Sequence, residues 1–331
     1  MDLYELTRKL IELKSITGDE AEITDFLSEY LENRGFEIRL IPVEGKRSSI
    51  LASKGEPRVI LSTHTDTVPP YFPFSEDDSF FYGRGACDTK GIIASQIKAS
   101  EKLLSEGISN FGLLFVAGEE SISDGAISAN KIENKCRWLI NGEPTENKMA
   151  IGSKGSLRVK FIVKGKAAHA AYPEHGESAI EKLLDIFNDI RKEAFPKHEL
   201  LGATTYNIGT ISGGIQANVI PPFAEALLMF RIVSSVDEIK QILEKIVNNR
   251  AKLEYIFACE PVLTKTLPGY ETMVASYTTD IPNLNNWGEP VLFGPGSILD
   301  AHTDHEKIGK KELTEAVELY YGIVKKLLSE T

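Results

Sequence analysis

Cysteine is scarce in this sequence, which has three in 331 residues. Cys87, Cys136 and Cys259 are too few and too scattered for a disulfide framework, and no C-x-x-C pair suggests a thiolate metal site. The amino terminus, MDLYELTRKL, also lacks the apolar core of a signal peptide. These absences predict a protein of a reducing compartment, the cytoplasm.

Dense runs of Lys and Arg are absent as well, and the formal net charge is −11. Nucleic acids and anionic membrane surfaces are therefore excluded as expected partners. No apolar run approaches the ~20 residues that cross a bilayer, so the sequence predicts no membrane partner either. The acidic balance is compatible with substrates that carry amino groups, although it more often only aids solubility.

What the sequence does contain is an alternation of strand and helix patterns, over a length that fits two domains. Four short apolar runs bounded by Gly, Pro or charge are typical of strands buried on both faces: 59–62, 113–117, 138–140 and 291–293. Helix patterns intervene, notably at Gly91–Leu104, and the spacing from Thr17 to Glu20 predicts a capping box at a helix start. The alternation predicts an open, mostly parallel α/β sheet.

Residues 155–262 follow a different pattern. Alternating strands and two helix patterns occur in the order βαββαβ, which is typical of a ferredoxin-like, half-buried sheet with both helices on one face. The parallel-type pattern resumes afterwards. We therefore predict a discontinuous α/β domain of residues 1–154 and 263–331, with an inserted α+β domain of residues 155–262.

Side chains that can bind metal or move protons follow the ends of the four predicted strands: His64 with Asp66, Glu119 with Glu120, Glu143, and, further along the chain, His302. In open α/β sheets, ligands bind outside the carboxyl ends of the strands, so these side chains can converge at one edge. Asp88 stands in a Gly-rich stretch directly before the helix pattern at Gly91, a position that faces the same edge.

Two imidazoles and several carboxylates form a nitrogen and oxygen ligand set that suits zinc, with cobalt or manganese as substitutes. Carboxylates this close repel each other unless they are protonated or neutralised by cations, and a two-metal site resolves that repulsion. Singly, His64 and Asp66 could be a hydrogen-bonded pair, Glu119 a solvated charge and Asp88 a helix cap. Their joint placement favours a metal centre.

Five motifs resemble, in order, those of the M20 metallopeptidase family: HTDTVP at 64–69, GRGACDTKG at 83–91, GEES at 118–121, GEPT at 142–145 and FGPGSILDAHTDHE at 293–306. Two segments of the inserted domain, GKAAHAAYPEHGESAI and GTISGGIQANVIPPFAEALLMFRI, also resemble that family. The resemblance covers nearly the whole chain. It implies a catalytic metal-binding domain, and an inserted lid and dimerisation domain through which two subunits form a homodimer.

The resemblance also implies the ligands of two divalent metal ions, most simply zinc. His64, Asp88 and Glu143 are expected to hold one ion. Asp88 is expected to bridge to the second ion, which Glu120 and His302 complete.

Further residues acquire roles by the same resemblance. Asp66 is expected to orient His64. Glu119 resembles the general base that takes a proton from the attacking water and delivers it to the leaving amine. In the inserted domain, His169 is expected to donate to the developing oxyanion, while Asn218 and Arg231 contact the substrate, Arg231 by clamping a carboxylate.

The sequences of these motifs most resemble those of the branch of acetylornithine deacetylases and succinyl-diaminopimelate desuccinylases. This branch implies removal of an acyl group from an N-acylated amino acid. Three alternatives stay open: hydrolysis of lysine or ornithine from an amino-group carrier protein, an M20 dipeptidase or carboxypeptidase, and a non-catalytic metal-binding relative. A nucleotide-binding enzyme is set aside, because GRGACDTKG lacks the Gly-Lys-Ser/Thr ending of a P-loop.

Overall fold

A computed structural model describes residues 1–330, which divide into two compact units. The first unit contains Met1–Ile151, Leu263–Met273 and the chain from Thr279 onward. The second unit contains Gly152–Val262 and Val274–Thr278. The chain thus leaves the first unit, builds most of the second, and returns.

Within residues 1–330 there are seven α-helices: α1 (Leu3–Glu12), α2 (Ala21–Glu32), α3 (Gly91–Ser105), α4 (Asp124–Ala129), α5 (Ala179–Lys192), α6 (Val236–Val247) and α7 (Lys310–Ser329). The strands of the same residues are β1 (Glu37–Pro42), β2 (Ser48–Lys54), β3 (Val59–His64), β4 (Ser75–Glu76), β5 (Phe80–Tyr82), β6 (Phe111–Val116), β7 (Trp138–Asn141), β8 (Met149–Ser153), β9 (Gly155–Lys164), β10 (Lys197–His198), β11 (Gly202–Ala203), β12 (Thr205–Gly213), β13 (Phe223–Ile232), β14 (Lys252–Cys259), β15 (Val262–Leu263), β16 (Thr272–Ala275), β17 (Glu289–Leu292) and β18 (Lys307–Gly309). None of these helices is both long and apolar enough to span a bilayer.

The large sheet of the first unit has the order β1-β2-β6-β3-β7-β17-β8-β15, with β16 beside β8. Its four central strands, β6, β3, β7 and β17, are mutually parallel and are the four predicted from the apolar runs. Strands β3 and β6 are buried along their whole length. The predicted α/β sheet is therefore confirmed, with a parallel centre.

The edges of this sheet depart from the mostly parallel expectation. Strands β1 and β2 pair antiparallel, β2 pairs antiparallel with β6, and β17 with β8. Only residues 43–47 join β1 to β2, and so short a link allows a hairpin but no parallel crossover.

Helices α1, α2, α3 and α7 bury their apolar faces in the same core as the sheet. Leu6, Leu27, Ile93 and Tyr320 represent the four helices in this core, and each is 0% exposed. Because the helices cover the faces of the sheet, its carboxyl edge is where polar side chains can gather.

The start of α2 differs from the predicted capping box. The helix begins at Ala21 with Glu20 as its N-cap, and no side chain accepts from its first turn. The hydroxyl of Thr17 donates instead to Asp66 Oδ2 at 2.8 Å. A long-range contact has displaced the local cap.

The second unit has a four-stranded antiparallel sheet in the order β12-β13-β9-β14, with α5 and α6 packed against it. Ser178 and Ser235 cap the two helices by accepting from Glu181 N and Glu238 N. Alternate residues of β9 and β13 enter the core, as the period of two predicts. The order of elements is the predicted βαββαβ.

Candidate metal centre

The five predicted metal ligands lie together at the carboxyl edge of the parallel strands. One group consists of His64, Asp88 and Glu143, and a second of Asp88, Glu120 and His302. In each group, one potential ligand atom per residue lies within 4.8 Å of the others. Asp88 is the member common to both groups.

His64 ends β3 and its side chain is 1% exposed. Its Nδ1 lies 2.9 Å from the carbonyl oxygen of Asp66, which can only accept, so Nδ1 carries a proton. Its Nε2 lies 3.0 Å from Asp88 Oδ1. With Nδ1 protonated, neutral His64 presents a lone pair at Nε2 toward a carboxylate, and either a second proton or a cation must lie between them.

The imidazole of His302 faces two carboxylates, where that of His64 faces one. Its Nε2 lies 2.9 Å from Glu120 Oε1 and 3.3 Å from Asp88 Oδ2. The hydrogen bonds to Asp88 and Glu120 raise the pKa of His302 to about 10. His302 also has a φ of 63°, in the left-handed region that few non-glycine residues adopt. Such backbone strain clusters at functional sites.

The carboxylates at this edge are crowded and poorly solvated. Burial raises the pKa of Glu119 and of Glu143 well above the usual range, and neighbouring carboxylates raise both further. Burial and the charge of Asp88 raise the pKa of Glu120. Burial also acts on Asp88, but hydrogen bonds from both histidines outweigh it and lower the pKa of that carboxyl.

One carboxylate oxygen at this edge has no partner. Among the residues the structure describes, Glu143 Oε1 is buried and accepts no hydrogen bond. An orphaned carboxyl oxygen in the group that contains Asp88 and the imidazole of His64 fits divalent cations, which neutralise carboxylates and bind imidazole nitrogen. The residues present therefore suit a two-metal centre.

The turn that carries Glu119 and Glu120 is held by Asp66. Asp66 Oδ1 accepts from Glu119 N at 3.0 Å, and Oδ2 accepts from Glu120 N at 3.2 Å. Asp66, which is predicted to orient His64, faces Nδ1 of that imidazole with its carbonyl oxygen at 2.9 Å and with Oδ1 at 3.5 Å. One residue thus positions two elements of the site.

An ion cluster that sequence reasoning missed supports the same turn. Arg47 binds Glu20 through Nε at 2.7 Å and Asp124 through Nη1 at 2.7 Å. Gly118, with φ of 76°, approaches this cluster so closely that a Cβ there would lie 2.1 Å from Asp124 Oδ1. Only glycine fits both the conformation and the space.

Asp280 is a second functional candidate that the sequence did not indicate. It is 1% exposed, and its Oδ1 is among the buried oxygens without a partner in the described chain. Burial raises the pKa of Asp280 to about 7 despite a hydrogen bond with Ser123. Its charge in turn acts on Glu119 and Glu143. No apolar run or motif directly before Asp280 marks it in the sequence.

The three predicted residues of the inserted domain lie in the second unit. His169 and Asn218 come together, since residue 169 bridges to Val219 and Ala170 N donates to Asn218 O at 3.0 Å. Both are exposed. Arg231 lies on β13, opposite Thr205 of β12, and is partly buried.

Comparison with known proteins decides the family. The family model described as a peptidase dimerisation domain matches residues 151–254. A peptidase M20 domain-containing protein of Schizosaccharomyces pombe is 38% identical over 98% of this chain and 84% of its own length. The chain belongs to the M20 peptidase family.

Two further comparisons show which other proteins this M20 chain is similar to. A probable carboxypeptidase of Talaromyces marneffei is 36% identical over 97% of the chain and 85% of its own length. A crystal structure of a Staphylococcus aureus tripeptidase superposes with a TM-score of 0.81 at 19% identity, over 98% of this chain and 97% of that one. The protein therefore has the M20 fold, an α/β catalytic domain with an inserted dimerisation domain, and is a metal-dependent hydrolase of amide bonds.

Proposed function

We propose that this M20 enzyme is a dinuclear metallopeptidase that cleaves small peptides as a carboxypeptidase or dipeptidase. The observation that carries the proposal is the pair of ligand groups that share Asp88. A relative at 36% identity is named a probable carboxypeptidase, which supports peptide bonds as the target. The predicted amide hydrolysis is retained, and the substrate class is changed.

In this proposal His64, Asp88 and Glu143 hold one ion, and Asp88, Glu120 and His302 hold the other. Zinc suits the set of two imidazoles and three carboxylates, and cobalt or manganese can replace it. When bound, the ions lower the pKa of a water molecule and polarise the scissile carbonyl.

Glu119 is the proposed general base. It lies beside the ligand Glu120, and both of their backbone N–H groups donate to Asp66, which fixes the direction of the turn. Its raised pKa suits a carboxylate that accepts a proton from water and passes it to the leaving amine near neutral pH.

The second unit is proposed to supply substrate contacts and the homodimer contact. His169 can donate a hydrogen bond to a developing oxyanion, and Asn218 can hydrogen-bond to the substrate. The guanidinium of Arg231 suits the terminal carboxylate of a peptide, which it can bind in a bidentate manner. A carboxypeptidase needs recognition of such a carboxylate.

Deacylation of N-acyl amino acids is the second candidate, because GEPT and FGPGSILDAH are worded as in the acetylornithine and succinyl-diaminopimelate branch. Both reactions break an amide bond by the same chemistry. The names of the two relatives above point to peptides rather than acyl amino acids. The names of these relatives do not support a carrier-protein substrate. A non-catalytic relative is disfavoured because every predicted ligand position carries a residue that can bind metal.

A substrate panel tests the proposal. Zinc-reconstituted protein is assayed against dipeptides, tripeptides, acetylornithine and succinyl-diaminopimelate, and bound metal is measured on the same preparation. We expect turnover of peptides and little of the acyl amino acids. Turnover of acetylornithine or succinyl-diaminopimelate alone would replace the proposal with the second candidate.

The matched variant is Glu119→Ala. We expect it to retain both ions while turnover falls by about 10²- to 10⁴-fold, because a positioned general base contributes that much. If metal were lost together with turnover, the separation of base from ligand would be wrong.

A further inference from the structure

Glu306 and Arg84 form an ion pair that lies almost entirely out of solvent. Arg84 Nη1 is 2.7 Å from Glu306 Oε2, and the two side chains are 2% and 1% exposed. Neither residue belongs to the proposed ligand set or to its base. A buried ion pair contributes little net stability, because the cost of desolvating both charges offsets their attraction. This pair therefore points to a role other than stability.

The other oxygen of the same carboxylate holds the backbone at the bridging ligand. Glu306 Oε1 accepts from Asp88 N at 3.1 Å and from Cys87 N at 3.2 Å. The main chain of Glu306 adds a third contact, since Gly83 N donates to its carbonyl oxygen at 3.1 Å. Residue 306 is therefore attached at several points to the segment that presents Asp88.

Glu306 also follows His302 by four residues, and His302 Nε2 faces Asp88 Oδ2 at 3.3 Å. The two segments contribute the two ligands that must lie close together for the second ion. A carboxylate that binds one segment while belonging to the other fixes their separation.

We propose that Glu306 is a positioning residue that sets the distance between Asp88 and His302 and thereby the affinity for the second metal ion. This inference rests on the proposed two-metal centre. Outer contacts of this kind typically change metal affinity by about 10- to 100-fold when they are removed.

The chemistry of the partners gives a discriminating pair of variants. The carboxylate accepts hydrogen bonds from donors only: the guanidinium of Arg84, the N–H groups of Cys87 and Asp88, and the thiol of Cys87. Glutamine in place of Glu306 has one acceptor oxygen, so its amide nitrogen must face a donor while Arg84 is present. If Arg84 becomes methionine, the glutamine oxygen is free to accept from the backbone.

The experiment compares two double variants, Arg84→Met with Glu306→Gln, and Arg84→Met with Glu306→Leu. Both remove the buried charges, and Gln and Leu are similar in length, so the pair differs in the acceptor for the backbone N–H groups. Zinc affinity is measured by chelator competition, and cobalt spectra report the ligand geometry.

We expect the glutamine double variant to bind the second ion within a few-fold of wild type, and the leucine one to bind it about 10- to 100-fold more weakly. The leucine variant should also lose turnover with little change in KM. Equal affinities in the two double variants would overturn the proposal.

Two controls keep the outcome interpretable. Glu101→Gln, on α3, removes ion pairs with Lys98 of the same helix and with Arg34, which follows α2, and should lower stability without altering zinc affinity. If the double variants prove insoluble, the single variant Glu306→Asp replaces them, because its carboxylate is one methylene shorter. Wild-type zinc affinity in that variant would refute the proposal. Failure of wild-type protein to bind a second ion would instead refute the two-metal centre.

Discussion

At the scale of single residues, one nitrogen of the site serves two anions. His302 Nε2 has one proton to share between Asp88 and Glu120, and these contacts raise the pKa of His302 from 6.5 to about 10. The protonated imidazole therefore stabilises the metal-free fold fully below pH 6.5, and this contribution disappears as the pH rises through about 10.

The first prediction is a pH dependence of metal-free stability. His302→Ala should destabilise the metal-free protein most near pH 6 and progressively less toward pH 10. Because half of the imidazole is exposed, solvent screening limits the difference to about 1 kcal/mol or less. Urea unfolding of chelator-treated wild type and variant measures it. A difference that stays constant with pH would refute the assignment of the proton to His302.

The second prediction concerns the shared ligand. Asp88→Asn should disturb both ions, whereas Glu143→Gln and His302→Ala should each weaken mainly one, because Asp88 alone belongs to both ligand groups. Elemental analysis after equilibrium dialysis against zinc gives the stoichiometry. A protein that still bound one ion tightly after Asp88→Asn would show that the bridge is not Asp88.

At the scale of elements, the turn after β6 is held by contacts from several other parts of the chain. Gly118 occupies a left-handed conformation against Asp124, which Arg47 ties to Glu20. The carboxylate of Asp66 accepts hydrogen bonds from two backbone N–H groups of the same turn. The directions of two glutamates therefore depend on contacts from distant parts of the chain.

The third prediction separates strain from crowding at this turn. Gly118 and Gly107 have nearly equal φ angles of 76° and 75°, but a Cβ at Gly107 meets nothing within 4 Å. Gly107→Ala should cost about 1–2 kcal/mol of stability from the left-handed conformation alone. Gly118→Ala should cost more and also reduce turnover. Thermal unfolding and peptide kinetics measure both, and equal effects would contradict the role given to Asp124.

The clustering of the candidate ligands could be predicted from the sequence because three of them follow a locally visible pattern. His64, Glu120 and Glu143 come directly after short apolar runs, and buried parallel strands end at one edge of a sheet. The supports of the site could not be predicted in this way. Arg47 reaches residues 27 and 77 positions away, and no periodicity marks such contacts.

Two details of the elements differ from the sequence expectation. The capping box at Thr17 gave way to a hydrogen bond with Asp66, 49 residues away. The centre of the sheet is parallel as predicted, but β1 pairs antiparallel with β2 because only a short link joins them. Patterns within a few residues indicate strands and helices, but they do not contain the partners that tertiary structure supplies.

At the scale of the whole molecule, the second unit has two sheet edges, β12 and β14. Residues 209–213 at the end of β12 are exposed without interruption, and this edge can accept another strand. A match to a peptidase dimerisation domain, over residues 151–254, covers the whole of β12 and the first three residues of β14. We therefore expect a homodimer.

The fourth prediction tests which edge is used. Ile211 on β12 and Ile256 on β14 are 57% and 54% exposed, so a lysine at either position changes the surface to a similar degree. Ile211→Lys should shift the mass measured by light scattering from twice the 36.6 kDa of one chain toward that of a single chain. Ile256→Lys should leave the dimer intact. The opposite pattern would assign the contact to β14.

The return of the chain to its first unit also orders events during synthesis. Glu143, the last of the other proposed ligands, leaves the ribosome roughly 160 residues before His302, an interval of about 8–30 s at ordinary translation rates. The core of the second unit lies within residues 152–262 and can fold during that time. Four of the five proposed ligands are therefore already synthesised while the core of the second unit can fold. If the proposed two-metal centre is correct, we expect the second ion to bind only after His302 has been synthesised, late in maturation.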